Sequence, residues 1–455
     1  MSLSLLTSGI KISSISRIFQ PQLNLILQIK FQPTRYINTQ GAPQLKPPVV
    51  FLSHTTTMTK AAIQSSNLFK PIKVGNTVIQ HRIAHLPTTR NRAHPGDHIP
   101  TDLEKKYYAD RAKSGALLVS EATIVTPKLG WYPNVPGIWN DKQALGWKEV
   151  VDAVHEAGGK IAVQLWGLGR VASGALLKTK GYDFVGVSDV YEHEKSEKEA
   201  IEAGNPLRPL TVEEIEGLVQ NDYPNAVKLA LDVAGFDFVE LHFANGYIAS
   251  QFLHPKINTR TDKYGASIEN RARFILEAFD NIFKVADAQR VGVRFSPANV
   301  FQEPGINPSS KEDYSYILKE LQKRADNGHQ LAFIDLVDGV YDVDDVQSPS
   351  NVNYFYDLWK GVILKGGNYT EDKNDGWKKI LQDADANDRT LVGFGRHFIA
   401  NPDLPQRIKN GQDLNDYDRS TFYTTFDYGY NTYPEYGETR EADPDAKVVP
   451  KPLVH

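Results

Sequence analysis

Short apolar runs alternate with longer segments of helical periodicity along most of the chain, beginning near residue 82. Such alternation is typical of βα units, in which helices connect the parallel strands of one sheet. The predicted strands cover residues 82–87, 116–125, 160–166, 236–243, 291–297, 331–337, 360–367 and 390–396. Because eight such strands can close into a barrel, the sequence predicts an α/β fold with a single (β/α)8 TIM barrel.

The segments between the strands carry helix signals that support this interpretation. Residues 211–235 begin with a capping box formed by Thr211 and Glu214 and end at Gly235, as helices commonly do. Residues 267–288 place apolar side chains on one face, as a helix packed outside a sheet requires. The stretch from about residue 170 to 210, between strands three and four, is too charged for core. It predicts an inserted loop or subdomain over one end of the barrel.

The beginning of the chain differs in composition from the rest. No Asp or Glu precedes Asp97, and residues 1–57 carry basic side chains among many Ser, Thr and Gln, which is typical of a transit peptide. Translation starting at Met58 is an equal alternative. We expect residues 1–57 to be a disordered leader and residues 58–455 to form the barrel. The predicted location is cytoplasmic, with a mitochondrial one left open if the leader is translated.

Charge and cysteine content exclude several classes of function. The 455 residues carry a formal net charge of −4, which offers no basic surface for nucleic acid or anionic lipid. The chain has no cysteine, which excludes disulfides and thiolate chemistry. No apolar run approaches the roughly 20 residues that cross a membrane, and no metal-binding motif is present. Redox chemistry would therefore need an organic cofactor or a metal site without thiolates.

Polar residues cluster where the predicted strands end. His242 lies at the end of strand four with Asn245 and Tyr247 just after it, Thr89 follows strand one, and Gln164 lies late in strand three. In TIM barrels the active site is built from the carboxyl ends of the strands and the loops after them. His242 alone would more often be a structural histidine, but three polar groups beyond a buried strand need partners or a ligand.

Two further features indicate an anionic ligand. Arg294 lies within strand five, and a cation on the inner wall of a barrel is costly unless it is paired. An anionic ligand would satisfy it, and so would an ion pair with Glu121 or Glu240. Strands seven and eight end in the glycine-containing residues 366–368 and 393–396, where barrels often bind phosphate through backbone amides. These features predict a phosphorylated cofactor.

Taken together, these motifs resemble the old yellow enzyme family of flavin-dependent ene-reductases, and its fungal branch in particular. The resemblance covers residues 67–436 and rests on LFKPIKVGNTVIQHRIAHLPTTRNRA, VQLWGLGR, FVELHFANGYIASQFLHPKINTRTDKYGASIENRARF, VGVRFSP, ILKGGN, LVGFGRHFIANPDL and DRSTFY. It implies an FMN-containing (β/α)8 barrel that oxidises NADPH and reduces activated carbon–carbon double bonds with ping-pong kinetics.

The resemblance also implies roles for individual residues. Those implied to contact the flavin are Pro87, Thr89, Ala122, Gln164 and Arg294, and those implied to hold its phosphate are Gly367, Asn368, Gly395 and Arg396. Trp166, Phe301 and Tyr423 are implied to shape the cavity above the ring. His242 and Asn245 would bind the carbonyl oxygen of the substrate, and Tyr247 would donate a proton.

The three residues after strand four suit such a reduction chemically. An enone accepts hydride at Cβ only if the charge that develops on its carbonyl oxygen is stabilised, which two hydrogen-bond donors can do. Tyr247 can protonate Cα because a phenol with a pKa near 10 remains protonated at neutral pH. Arg294 would stabilise the anionic reduced flavin.

Departures from the family pattern are few, and they bear on rate and substrate range. They are Thr88, Ala122, Phe243 and Ala266, none of which removes a catalytic group. The expected ligands are an enone, a quinone or a phenol, and a homodimer is left open. An alternative function is a steroid- or phenol-binding flavoprotein with incidental turnover. A glycosidase is disfavoured because it needs two carboxylates, and strand seven ends without one.

Overall fold

The computed structural model describes residues 61–342, 345–348, 351–367, 369, 371–440, 442–444, 446 and 448–455. The predicted leader, residues 1–57, lies outside the described residues, as do Met58 and Asn368. The choice of start and the location that depends on it therefore stay predictions.

Eight parallel strands form a closed barrel, which confirms the predicted fold. They are β1 Ile83–His85, β2 Leu117–Ile124, β3 Lys160–Trp166, β4 Phe238–His242, β5 Val291–Phe295, β6 Phe333–Val337, β7 Ile363–Gly366 and β8 Thr390–Phe394. Each strand pairs in parallel with its neighbours in the chain, and β8 pairs with β1 to close the ring. The observed strands lie within the predicted ranges: β3 has the predicted bounds, and the other seven are shorter at one or both ends.

Helices cover the outside of the barrel. They are α1 Asp102–Ala112, α2 Asp141–Glu156, α3 Gly174–Thr179, α4 Glu194–Glu202, α5 Val212–Gly217, α6 Tyr223–Lys228, α7 Ile248–Leu253, α8 Ile268–Arg271, α9 Arg273–Ile282, α10 Ser310–Asp326, α11 Tyr354–Leu358, α12 Lys378–Asp385, α13 Arg396–Ala400 and α14 Leu404–Asn410. In the described residues, none of these helices is long and apolar enough to cross a bilayer.

The segment predicted as one helix over residues 211–235 is divided. The capping box is present, since the Thr211 hydroxyl accepts the N–H of Glu214 at 3.1 Å and the Glu214 carboxylate accepts the N–H of Thr211 at 2.8 Å. Two π-helical stretches, Leu218–Asp222 and Leu229–Ala234, then interrupt the α-helical geometry. Apolar periodicity alone does not distinguish these two kinds of turn.

The interior of the barrel is apolar at its amino-terminal end. The inward side chains there include Ala84, Leu117, Val119, Ala162, Phe238, Phe333, Leu364 and Leu391. An antiparallel hairpin, Ile72–Val74 with Thr77–Ile79, packs its own apolar side chains against this cluster and closes that end. The strand pattern did not predict the hairpin, because its two strands are only three residues each.

The predicted insertion between β3 and β4 is present as a small substructure. It contains α3, α4 and two short parallel strands, Val185–Gly186 and Arg208–Pro209. Its buried side chains Leu177, Phe184 and Leu207 belong to the same apolar cluster as Trp166, at the end of β3. The insertion therefore covers the carboxyl-terminal end of the barrel.

The inner layer should dominate the stability of the barrel. The ring of Phe333 meets that of Phe238 at 6.0 Å in an edge-to-face arrangement, so Phe333→Ala would leave a cavity within a closed sheet. We expect a loss of about 3–5 kcal/mol in the free energy of unfolding, measured from urea unfolding curves at equal cofactor loading. Val78→Ala, at a 53% exposed position of the hairpin, should change it by less than about 0.5 kcal/mol. Equal effects of the two substitutions would contradict this account of the core.

Candidate active site

The chain turns sharply after β4 and directs Tyr247 back over the strand end. His242 is the last residue of β4, and Asn245 and Gly246 adopt left-handed backbone conformations, with φ of 57° and 75°. Asn and Gly tolerate that conformation better than other residues. The N–H of Asn245 donates to the Ser296 hydroxyl at 2.8 Å, and its carbonyl accepts from the Gln302 amide at 2.8 Å. The loop after β5 thus fixes this turn.

Aromatic rings enclose the space above the strand ends. The Trp166 and His242 rings are nearly parallel, with centroids 6.4 Å apart. The Tyr247 ring stands edge-on to both, at 4.8 Å from Trp166 and 4.9 Å from His242. The Tyr132 ring contacts the other side of this group, 5.3 Å from Trp166. Three of the predicted site residues are therefore in direct contact.

His242 is held as a neutral imidazole. Its side chain is buried, and its Nδ1 atom has no hydrogen-bond partner among the described residues. Burial lowers the pKa of His242 well below its ordinary value, and the positive charge of Arg294 lowers it further. A neutral imidazole carries one N–H donor and one acceptor, so a ligand with a hydrogen-bonding atom would satisfy it.

Tyr247 keeps its proton over the whole physiological range. Burial raises its pKa to about 12, and hydrogen bonds with Gln302 and Tyr132 oppose that rise. The ring is 9% exposed, so its hydroxyl has little contact with water. Neither Tyr132 nor Gln302 was among the predicted site residues. Tyr132 lies in the loop after β2 and Gln302 in the loop after β5. The rule that polar residues after barrel strands build the site, which identified Tyr247, therefore also applies to them.

A polar layer lies above the apolar interior of the barrel. Arg294 forms an ion pair with Asp335 of the neighbouring strand β6. Gln164 donates to Glu240 at 2.7 Å, and burial raises the pKa of both Glu240 and Asp335. The sequence had suggested Glu121 or Glu240 as the partner of Arg294. Arg294 pairs with Asp335, which the sequence had not suggested, because the barrel register places residues 294 and 335 side by side.

Glu121 of β2 accepts hydrogen bonds from the backbone of the loop after β1. Pro87, Thr88 and Thr89 are half-buried at the strand ends, and the buried Thr88 hydroxyl has no partner among the described residues. Further along this loop, the N–H groups of Arg90 and Asn91 donate to the Glu121 carboxylate at 3.1 and 3.4 Å. Glu121 reaches them because β2 has a register irregularity between Val119 and Ala122.

Glu121 lies beside a second buried acid, Glu104 of α1. The Glu104 carboxyl accepts the N–H of Thr101 at 2.7 Å through one oxygen. The other oxygen of Glu104 and one of Glu121 have no donor among the described residues, and the two carboxyls are within hydrogen-bond distance of each other. Burial raises the pKa of both groups, and the charge of Glu121 raises that of Glu104 further. A proton held between them satisfies both oxygens.

Two fully buried arginines connect this loop to the C-terminal segment that carries Tyr423. Arg90 donates to the carbonyls of Phe422 and Gly429 at 3.1 and 2.9 Å. Arg92 donates to the carbonyls of Phe422 and Thr421 at 2.8 and 3.0 Å. Tyr423 itself is 68% exposed, and its predicted role in shaping a cavity stays a prediction.

The glycine loops after β7 and β8 lie beside each other at the same end of the barrel. Gly367 has a φ of 101°, and Gly395 precedes α13, which begins at Arg396. The Arg396 guanidinium is half-buried and makes no hydrogen bond or ion pair with the described residues. This cation beside two glycine loops can bind an anion, and Asn368 lies outside the described residues.

The remaining predicted residues are also at this end of the barrel. Ala122 pairs with Gln164 in neighbouring strands, and both are buried. Phe301 is half-buried in the loop after β5, where a Cβ added to Gly246 would lie 2.8 Å from its carbonyl oxygen. The structure thus places the described predicted residues at the carboxyl-terminal end of the barrel or in the segments around it, and the role of each stays a prediction.

Known proteins are similar to this chain over most of its length. A sequence model of the NADH:flavin oxidoreductase / NADH oxidase family matches residues 67–415. A probable NADPH dehydrogenase of Candida albicans is 47% identical over 409 residues, covering 88% of this chain and 97% of the relative. Enoate reductase 1 of Kluyveromyces lactis is 40% identical over 392 residues, covering 83% and 96%. The crystal structure of Old Yellow Enzyme from a Pichia species has a TM-score of 0.81 and 42% identity, covering 86% of this chain and 100% of that one.

The shared proton predicts how stability depends on pH. A carboxyl whose pKa is raised by folding weakens the fold as pH rises above its ordinary pKa of 4.5, because the unfolded chain releases the proton first. Glu104→Gln supplies a neutral N–H donor to Glu121 and removes one such group. We expect this variant to lose less stability than the wild type between pH 5 and pH 8 in urea unfolding. Glu149→Gln, at a half-exposed partner of Lys105, should keep the wild-type slope, and an unchanged slope in Glu104→Gln would contradict the shared proton.

Proposed function

The chain belongs to the NADH:flavin oxidoreductase / NADH oxidase family, of the old yellow enzyme type, and from this premise we propose that it reduces the activated C=C bond of α,β-unsaturated carbonyl compounds. FMN is its cofactor and NADPH its hydride donor. The observation that supports the choice of acceptor is the buried cluster of His242 and Tyr247 beside the Asn245 turn, where the Nδ1 of a neutral imidazole lacks a partner among the described residues.

The described residues suit FMN in charge and in shape. Arg396, which has no partner among the described residues, and the left-handed Gly367 provide a cation and an approachable backbone for a phosphate. The buried Thr88 hydroxyl without a described partner, the small Ala122 side chain and the Gln164 amide line the space toward the centre of the barrel. We propose that Pro87, Thr89, Gly395 and Asn368 complete this site.

FMN, when bound, supplies the hydride chemistry that amino acid side chains lack. Arg294 is proposed to place a positive charge beside the flavin ring. This charge would favour the reduced, anionic form of the flavin electrostatically. Its ion pair with Asp335 anchors the guanidinium on the barrel wall. A fixed charge in a site that excludes water is more effective than a mobile one, because it needs no reorganisation during the reaction.

His242 and Asn245 are proposed to bind the carbonyl oxygen of the acceptor. The neutral state of His242 suits this role, because its one N–H can donate without transferring a proton to the oxygen. Negative charge grows on that oxygen when Cβ receives hydride, so the two donors bind the transition state more strongly than the ground state. Trp166, Phe301 and Tyr423 are proposed to limit the orientation of the acceptor.

Tyr247 is proposed to donate a proton to Cα. With a pKa raised to about 12 by burial, Tyr247 holds its proton until carbanion character develops at Cα, and the Trp166 and His242 rings keep its own ring in one orientation. NADPH and the acceptor would use one cavity in turn, which is the physical basis for the proposed ping-pong order.

Tyr247→Phe should affect reoxidation of the flavin by an enone but not its reduction by NADPH. Removing the proton donor should slow reoxidation by cyclohexenone by about 10²- to 10⁴-fold, whereas bleaching of the flavin by NADPH should change little. Stopped-flow absorbance under anaerobic conditions measures both rates in one preparation. Equal losses in the two rates would exclude Tyr247 as the donor.

Phenols provide a test of the carbonyl site that does not depend on turnover. Two hydrogen-bond donors should favour the phenolate form, so a para-substituted phenol should bind and produce a long-wavelength charge-transfer band. The double substitution His242→Ala and Asn245→Ala should weaken this binding by at least about 10-fold, since it removes two hydrogen bonds to a charged group. Unchanged affinity would overturn the assignment of these two residues.

The same measurements distinguish an enzyme from a binding protein. An oxidised flavin spectrum that bleaches with NADPH and returns with cyclohexenone supports the proposed reaction. Tight phenol binding with negligible turnover across enones, nitroalkenes and quinones would favour the steroid- or phenol-binding alternative.

A further inference from the structure

We propose that Asp335 lowers the reduction potential of the bound flavin by offsetting part of the positive charge that Arg294 places beside the ring. This inference rests on the part of the proposed function that puts Arg294 next to the flavin. There the arginine favours the reduced, anionic form, and Asp335 opposes that preference. Asp335 therefore sets how strongly the enzyme holds the electrons that it takes from NADPH.

The register of the strands brings Asp335 to the inner wall of the barrel beside Arg294. Residue 335 of β6 is the register partner of residue 294 of β5, and the guanidinium forms an ion pair with one oxygen of the carboxylate. On its other side, Arg294 is the register partner of His242 in β4. The strand that carries Arg294 thus lies between the strand of a proposed carbonyl donor and the strand of Asp335.

The two members of this ion pair differ in exposure. The side chain of Arg294 is 12% exposed, whereas that of Asp335 is 0% exposed. Solvent, and hence a ligand, reaches the arginine side chain but not the carboxylate. A charge buried away from water is screened only weakly, so it still acts on groups that it does not touch. Asp335 is therefore a positioning residue that acts on the flavin through Arg294.

A second buried acid lies in the same layer but has a neutral partner. Glu240 accepts a hydrogen bond from the Gln164 amide at 2.7 Å, and its other oxygen has no donor among the described residues. Burial raises the pKa of Glu240 well above its ordinary value, and the charge of Asp335 raises it further. The charge and hydrogen bond of Arg294 oppose the effect of burial on the pKa of Asp335. The negative charge that balances Arg294 therefore belongs to Asp335, which the guanidinium contacts directly.

The chemistry of the two half-reactions gives this balance a purpose. Hydride from NADPH brings two electrons to the flavin and leaves one negative charge on it. A positive neighbour stabilises that charge, and a negative neighbour raises its energy. Arg294 therefore favours the uptake of electrons, and Asp335 favours their release to the acceptor.

Asp335→Asn tests the balance, because it removes the negative charge and keeps an oxygen that can accept a hydrogen bond from Arg294. We expect the equilibrium between oxidised and reduced flavin to shift toward the reduced form by at least about tenfold, which raises the two-electron potential by about 30 mV. The potential is measured anaerobically on the FMN-loaded protein against a reference dye. An unchanged or lowered potential would overturn the inference.

The rates of the two half-reactions provide a second measurement on the same variant. Bleaching by NADPH should become faster and reoxidation by cyclohexenone slower, because the reduced form has gained stability. These changes have opposite signs, whereas a damaged fold slows both steps. Slowing of both steps would therefore contradict the proposed role of the charge.

Two variants separate the charge of Asp335 from the general effect of losing a buried ion pair. Asp335→Glu keeps the charge and should hold the flavin equilibrium within about twofold of wild type. Asp313→Asn removes an equally buried carboxylate that pairs with Arg271 at 2.5 Å outside the barrel, and it should stay within the same range. A shift in either variant as large as that in Asp335→Asn would overturn the inference.

Loss of a buried partner also costs stability, so a second neutral variant is measured in parallel. Asp335→Ala leaves room for water beside the guanidinium and should raise the potential as Asp335→Asn does. Release of FMN by both neutral variants, with FMN retained in Asp313→Asn, would give Asp335 a purely structural role and overturn the inference.

The potential can be measured without any acceptor, which separates this inference from the proposed function. A raised potential in Asp335→Asn, combined with no enone reduction by the wild type, would overturn the proposed acceptor and support the role of Asp335. Enone reduction by the wild type, combined with an unchanged potential in Asp335→Asn, would overturn the role of Asp335 and support the proposed acceptor.

Discussion

The ion pair between Arg294 and Asp335 allows charged side chains to lie inside the carboxyl-terminal end of the barrel. A closed sheet directs every second side chain inward, and in β4, β5 and β6 these inward positions hold Glu240, Arg294 and Asp335 above the apolar layer. An unpaired charge there would cost several kcal/mol. Burial disfavours the charged forms of Glu240, Asp335 and His242, and the positive charge of Arg294 opposes this effect in the two acids and adds to it in His242. One guanidinium therefore acts, together with burial, on the protonation of all three neighbouring groups.

Beneath this layer, Leu86 separates the polar end of the barrel from the apolar end. A Cβ added at Gly366 or Gly393 would lie 2.6 or 2.5 Å from the Leu86 side chain, so those two positions must lack side chains for Leu86 to fit. The glycines within β7 and β8 thus serve packing, whereas Gly367 and Gly395 after them are the ones proposed for the approach of an anion. The sequence suggested only the second reason, because Leu86 is far from both glycines along the chain.

The sequence predicted the barrel and the insertion, and it placed the candidate residues at strand ends, because strand periodicity and the location of sites at strand ends are local or general rules. It did not identify Asp335 as the partner of Arg294, since the pairing depends on the register of two strands. Tyr132 and Gln302 were missed because their importance comes from hydrogen bonds between loops distant in sequence. The roles of individual residues came from the family resemblance. The spacing of the polar residues agreed with these roles but did not specify them.

The link between Arg170 and the strand-five loop has a consequence for how this enzyme could diversify. Arg170 donates to the backbone carbonyls of Tyr191 and Gln302 at 2.5 and 2.6 Å, so these two bonds do not depend on the side chain at either position. Substitutions in the insertion that leave these two bonds intact can therefore accumulate while the backbone near Tyr247 stays in place. An engineer who recombines insertions from related enzymes could vary acceptor preference by this route, provided that the arginine and the main-chain path on either side of it are kept.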